Sequence, residues 1–303
     1  MLFALSSCSP STNVQQTVVA GAFIAGPALG GIIAEAYGPQ QAFFFVGAAA
    51  ALCSAGYSFL PETLTAAQAE SAKAKRRASA AAAGSVGTMK ALWAEWGGLI
   101  SSPPQQAAIA VNAALYLGWS CEMCIVSLHA ADTWNASPGE LGMLFALVSA
   151  VGVAGAPLGG WLADRAATRQ SVIVPSFCIA TAGMASLAFA DSYTTFLAGM
   201  TIFGVGTSML GPAMAAYAVD VTPSDSRGRA FALHRQAQDL AWLAGPVGLG
   251  LVADLVGKPA AIMTGSGMIG TLTAFFLWRS MHPVSLKLAK AGRNNNQPAG
   301  PKA

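Results

Sequence analysis

From Gln105 onward the sequence is apolar in six long runs, near residues 105–130, 139–162, 171–190, 193–218, 230–255 and 260–280. Each approaches the ~20 residues that a helix needs to cross a hydrocarbon core of ~30 Å. Two more runs, Val14–Glu35 and Gln41–Leu60, precede them. Only 10% of the residues are charged, where a soluble domain usually carries about a quarter. In lipid every backbone polar group must find a partner inside the protein, and a helix achieves this within a single segment. The expected fold is therefore all-α, a polytopic transmembrane helix bundle of eight spans. Connections such as Asp132–Pro138, Arg165–Gln170 and Gly257–Pro259 are short, so neighbouring spans run antiparallel.

The chain divides into four parts: two spans over 1–64, a linker over 65–104, a six-span part over 105–282 and a tail over 283–303. The linker is Ala/Ser-rich and carries Lys73, Lys75, Arg76 and Arg77. At its end Met89, Trp93, Trp96 and Ile100 recur at helical spacing, which suits a short helix lying at a membrane surface or packed on protein. The tail ends in NNNQPAGPKA and reads as disordered. If the linker is cytoplasmic, 15 of the 16 Lys and Arg residues fall on or near that side and Lys258 falls opposite. Such an asymmetry is what the positive-inside rule describes.

The sequence also repeats itself. Gly26–Gly38 and Gly245–Gly257 share the pattern G-P-x-x-x-G-x-x-A-[E/D]-x-x-G at a constant offset of 219 residues. An offset that long suits duplication of a multi-helix half. Gly21, Gly26, Gly30 and Gly31 in the first copy, and Gly245 and Gly250 in the second, leave flat surface for a close neighbour. Pro27 and Pro246 each remove one helical hydrogen bond. These residues form a candidate helix interface and hinge, against the plainer reading of glycine packing with an incidental bend.

Several spans carry polar residues that packing alone does not require. Asp239 lies ten residues beyond Arg229, about 15 Å into the membrane at ~1.5 Å per residue. An unpaired charge there costs roughly 3 kcal/mol, so it must face a cavity or a partner. Arg235 stands one turn earlier and His234 beside it. A static ion pair and a proton or substrate contact are both open readings. Glu122, near mid-depth on the third span, has no local cation and is a candidate proton carrier. Cys121-Glu122-Met123-Cys124 has metal or redox spacing, but no histidines converge on it and packing explains it better. Asn135-Ala136-Ser137 is a glycosylation sequon that Pro138 spoils.

Three stretches resemble the major facilitator superfamily of secondary transporters. Gly21–Gly31 resembles the glycine-rich signature of its fifth helix. Gly159–Arg169 is similar to its cytoplasmic loop signature, with Gly160, Asp164, Arg165 and Arg169 at the matching places, although Ala167 replaces a glycine and Thr168 a basic residue. Ser226–Gly250 resembles the tenth-to-eleventh connection and the eleventh helix. The resemblance implies an incomplete twelve-helix fold in which these eight spans correspond to the fifth through twelfth. It also implies that Asp164 meets the start of another helix, near Ser11–Asn13, and holds one access state closed; the alternative is a charge snorkelling to the interface.

The expected function is transmembrane movement of a small solute by alternating access, coupled to an ion or proton. The competing reading is a truncated, non-transporting membrane scaffold or regulatory fragment. The sequence shows no phosphate loop, no nucleophile with its base and no nucleic-acid patch beyond the linker's basic run, which more simply orients the protein. An enzyme is not expected, and no cofactor or metal is called for. The expected partners are the lipid bilayer and a small-molecule substrate.

Overall fold

Residues 10–59, 70–71, 73–74, 96–223 and 226–296 are described by a computed structural model. Among them every regular element is helical: α1 (Pro10–Tyr37), α2 (Pro39–Tyr57), α3 (Pro103–Cys121), a π turn (Glu122–Val126), α4 (Ser127–Trp134), α5 (Pro138–Arg165), α6 (Gln170–Leu187), α7 (Tyr193–Ser208), α8 (Leu210–Val221), α9 (Arg227–Val256), α10 (Lys258–Ser280) and α11 (Pro283–Asn296). A single helical turn also covers 96–100. Trp96 and Ile100 lie on it, whereas Met89, Trp93, Lys75, Arg76 and Arg77 lie outside the described residues.

Among the described residues six helical rods are long and apolar enough to cross a membrane: Pro103–Trp134, Pro138–Arg165, Gln170–Leu187, Tyr193–Val221, Arg227–Val256 and Lys258–Ser280. They coincide with the six runs read from the sequence. The rods end where local chemistry stops them. Asn135, in the left-handed region at φ 50°, ends α4, and Ser137 starts α5 with a capping box, its hydroxyl accepting from the Glu140 amide while Glu140 reaches back to the Ser137 amide. Gly38 and Gly257 occupy nearly the same unusual backbone conformation, φ 90° and ψ 157° against φ 105° and ψ 160°. A side chain is strained there, so glycine is required at both. The repeat is thus matched in the backbone at its closing glycine: α1 turns into α2 at Gly38 as α9 turns into α10 at Gly257.

Within the six rods α3 is central, packed on α9 and α10, while α6 bridges α7 and α10. Buried alanines at 107, 108, 110 and 114 let neighbours approach α3, and Phe177, Tyr217 and Phe276 fill the space around them. A second cluster, with Ile125, Leu144, Phe196 and Phe203, fills the end nearer Gly257. α1 lies against α5, and α2 lies beside α1 with no buried residue.

The tail differs from expectation. Residues 283–296 form α11, which packs against α8. Ser285, Leu288, Ala289 and Gly292 turn inward at spacings of three, one and three, the periodicity of one helical face. The Asn-rich end hid this face in a composition-based reading. Residues 297–303 lie outside the described ones.

Candidate functional site

Two tight contacts and a run of polar side chains lie along the bundle. At the end carrying Gly38 and Gly257, α1 crosses α5 so closely that an added Cβ on Gly31 would overlap the Pro138 carbonyl and come within 3.0 Å of Gly142 Cα. Gly142 is bounded in turn by the Pro27 carbonyl and Gly31. The Ser137 hydroxyl, which caps α5, also donates to Glu35 Oε2 at 3.1 Å. Of the predicted interface glycines on α1, Gly31 makes this crossing, whereas Gly21, Gly26 and Gly30 face open space. In the second copy Gly245 meets the Ser120 side chain and Gly250 is open. Pro27 and Pro246 sit inside continuous helices.

The opposite end is held by charge. Arg169 Nε donates to Asp220 Oδ2 at 2.9 Å, with the two side chains 13% and 4% exposed. Its Nη1 donates to the Ala163 carbonyl and lies 3.4 Å from Asp164, whose side chain is exposed. The Asp164 partner described is therefore Arg169; the side chains of Ser11–Asn13 lie outside the described ones. Arg165 sits 4.3 Å over the Trp161 ring. Gly160 makes ordinary contact with Pro212, and the tight position is its neighbour Gly159, where a Cβ would come within 2.6 Å of Met209 Cα. On the far side of Asp220, Gly292 of α11 leaves no room for a side chain against the Asp220 carbonyl.

Two residues beyond Asp220 a buried chain begins. Gln105 Nε2 donates to Thr222 Oγ1 at 2.9 Å, which turns Gln105 Oε1 toward His234 Nε2 at 3.0 Å. Since the amide oxygen can only accept, His234 carries its proton on Nε2, a tautomer assigned from the network. His234 Nδ1 is buried without a partner. One turn along, Gln238 Nε2 donates to Asn112 Oδ1 at 2.6 Å. Arg235 and Asp239 pair at 3.2 Å, as their spacing allows, with side chains 63% and 50% exposed. Glu122 is buried, 2% exposed, and opens the π turn. The Ser127 hydroxyl donates to the carbonyls of Glu122 and Met123 and so satisfies the widened turn. Such turns concentrate at functional positions.

Residues 108–301 match the family model described as Major Facilitator Superfamily. The chain belongs to the major facilitator superfamily. This member is 29% identical over 152 residues to a protein of Bacillus subtilis (strain 168) provisionally named niacin/nicotinamide transporter NiaP, a match covering 50% of this chain and 36% of that one. It is 32% identical over 117 residues to the multidrug resistance protein MdtH of Aeromonas hydrophila, covering 39% and 29%. It is 25% identical over 235 residues to the uncharacterized major-facilitator-type transporter MJ1560 of Methanocaldococcus jannaschii, covering 77% and 56%. The chain thus spans between 29% and 56% of the length of these curated relatives. In fold it is similar to the POT family transporter PepTSo, with a TM-score of 0.50 at 22% identity over 58% of this chain and 37% of that one. A multi-pass integral membrane protein follows from the family and from the six rods.

Asp220, Gln105, Thr222, Asn112, Gln238, Gly142 and Gly159 escaped the sequence reading as site residues. Gln105, Asn112 and Gln238 carried the one available signal, amides placed inside apolar runs. Among the described residues no group of three or more His, Cys, Asp or Glu is placed to hold a metal.

Proposed function

We propose that this chain moves a small solute across a membrane by alternating access, coupled to an ion or proton, with the path running beside α3 and α9. The observation that carries the reading is the Arg235–Asp239 pair, half exposed near the middle of a 30-residue apolar helix. Lipid is a poor environment for such charges, so the face belongs to a water-filled cavity. The α1–α5 crossing supports one closed end, and the Arg169–Asp220 pair supports a second closure at the other. With the charge asymmetry orienting the chain, the first closure is external and the second cytoplasmic. Glu122 is the proposed proton carrier, enclosed beside the path on the π turn. α1 and α2 are proposed as two further spans, and the fold as part of a twelve-helix transporter.

The test is solid-supported-membrane electrophysiology on proteoliposomes challenged with a panel of small organic solutes under an imposed pH gradient. A solute-dependent current that Glu122→Gln and Asp239→Asn each reduce at least about tenfold is expected. Currents unchanged in both variants would overturn the reading. The competing reading, a non-transporting membrane scaffold, predicts no solute current.

A further inference from the structure

Tyr116 and Trp119 of α3 and Trp242 of α9 bring three aromatic rings to one corner beside this run of polar side chains. The Tyr116 ring lies 5.0 Å from Trp119 and 6.4 Å from Trp242 between centroids, at interplanar angles of 61° and 79°. Edge-to-face contacts of this kind cover at most one ring face each, and Trp242 remains 36% exposed. The other exposed tryptophans of the six rods behave differently. Trp161 and Trp278 stand near the ends of their helices, each beside an arginine, as befits a membrane-interface belt. Trp242 is midway along α9, roughly 20 Å from either end at ~1.5 Å per residue.

The neighbours of this corner are polar. Asp239 and Arg235 precede Trp242 by one and two turns on α9, and Gln238 is held by Asn112 of α3. On the other side the Ser120 hydroxyl is buried without a partner against Gly245. The half-exposed ion pair makes lipid an unsuitable cover for this face. Its formal charges cancel, so the pair offers a cation or an anion no net attraction, whereas a neutral solute can hydrogen-bond to it as it stands. A flat ring, moreover, gains from Trp242 what a saturated one does not.

We infer that the corner formed by Tyr116, Trp119 and Trp242 binds a planar aromatic solute of no net charge, its ring stacked on Trp242 and its polar substituent toward Gln238 and the Arg235–Asp239 pair. The inference rests on the transport reading for the aqueous character of this face, and it adds the substrate class.

The test is equilibrium dialysis of 2-naphthamide against the full chain in lipid nanodiscs, with empty nanodiscs subtracted. Decalin-2-carboxamide, of similar bulk without the π-system, and 2-naphthoate, its anionic analogue, are measured beside it. Saturable 2-naphthamide binding is expected, with the decalin amide and the naphthoate each roughly tenfold weaker. Trp242→Leu should weaken naphthamide binding roughly tenfold, Trp242→Phe should keep most of it, and Trp278→Leu should leave it unchanged. Equal binding of the two amides, or equal binding by wild type and a monodisperse Trp242→Leu, overturns the site. If Trp242→Leu does not fold, Tyr116→Leu decides instead: naphthamide binding unaltered in Tyr116→Leu overturns the site. Tighter naphthoate binding overturns the charge assignment. Trp242-dependent binding without solute currents would leave this site standing and sink transport. Currents without Trp242-dependent binding would do the reverse.

Discussion

Breaking the Arg169–Asp220 pair should cost more than any other single polar change at that end of the bundle. With side chains 13% and 4% exposed, the pair is effectively out of water, and removing one partner of such a pair costs about 3–5 kcal/mol because the other charge is stranded. The two removals are not equal. After Asp220→Ala the guanidinium keeps the Ala163 carbonyl and lies within 3.4 Å of Asp164, so the cost should sit near the lower figure, about 3 kcal/mol. After Arg169→Ala the Asp220 carboxylate loses the one bond described to it, beneath a helix that leaves Gly292 no space, and the cost should approach the upper figure, about 5 kcal/mol. The double variant strands neither charge and should be less destabilised than Arg169→Ala plus Asp220→Ala by several kcal/mol, the mark of direct coupling. Thermal unfolding in detergent, followed by size-exclusion chromatography, reads this directly. At on the order of 2–4 °C per kcal/mol, Asp220→Ala alone should lower Tm by roughly 6–12 °C. Additive losses in the double variant, or single losses below about 2 °C, would refute the claim that this contact clamps the basic end.

Asp239→Asn should insert and express normally yet lose transport. Charge reversal of both Arg235 and Asp239 should likewise insert normally yet carry no flux, and normal flux in a well-inserted Asp239→Asn would reduce the pair to a structural role. Gly257→Ala should destabilise by about 1–2 kcal/mol, since its φ of 105° is left-handed, and Gly38→Ala should match it; thermal shifts near zero in both would refute the equivalence of the two hairpin turns. Cysteines placed at Ser85 and Gly300 should react with impermeant maleimide only in permeabilised cells, and labelling of either from outside intact cells would invert the proposed orientation.

How far the sequence could be read depended on the range of the signal. The six rods were legible because each is a local run of apolar residues with its own terminator, Asn135-Ala136-Ser137-Pro138 and Gly257 among them. The Arg235–Asp239 pair was legible because four residues place both groups on one helix face. Arg169 was recognisable as a loop charge, but its partner Asp220 is 51 residues away, and one sequence carries no record of such distant pairing. The same holds for His234 with Gln105 and for Gln238 with Asn112. A glycine pattern cannot say which face of a helix is occupied, so Gly31 at a crossing and Gly21, Gly26 and Gly30 in open space read alike. The helix after His282 was readable in principle from Ser285, Leu288, Ala289 and Gly292, but polar composition masked its one packed face.

The π turn at Glu122–Val126 gives the long rod from Pro103 to Trp134 one residue more than an unbroken α-helix would hold. Deleting a residue elsewhere in that rod would rotate everything beyond it by about 100°, parting the Asp132 carboxylate from the Lys258 ammonium with which it pairs or swinging the aromatic corner from α9. Deleting one inside the turn, half-exposed Met123 for instance, would let the backbone close into ordinary α-helix while both flanking faces keep their heading. The rod's length is therefore adjustable at Glu122–Val126 without reorienting either neighbour, so a one-residue gap tolerated there and nowhere else along the rod would be its mark.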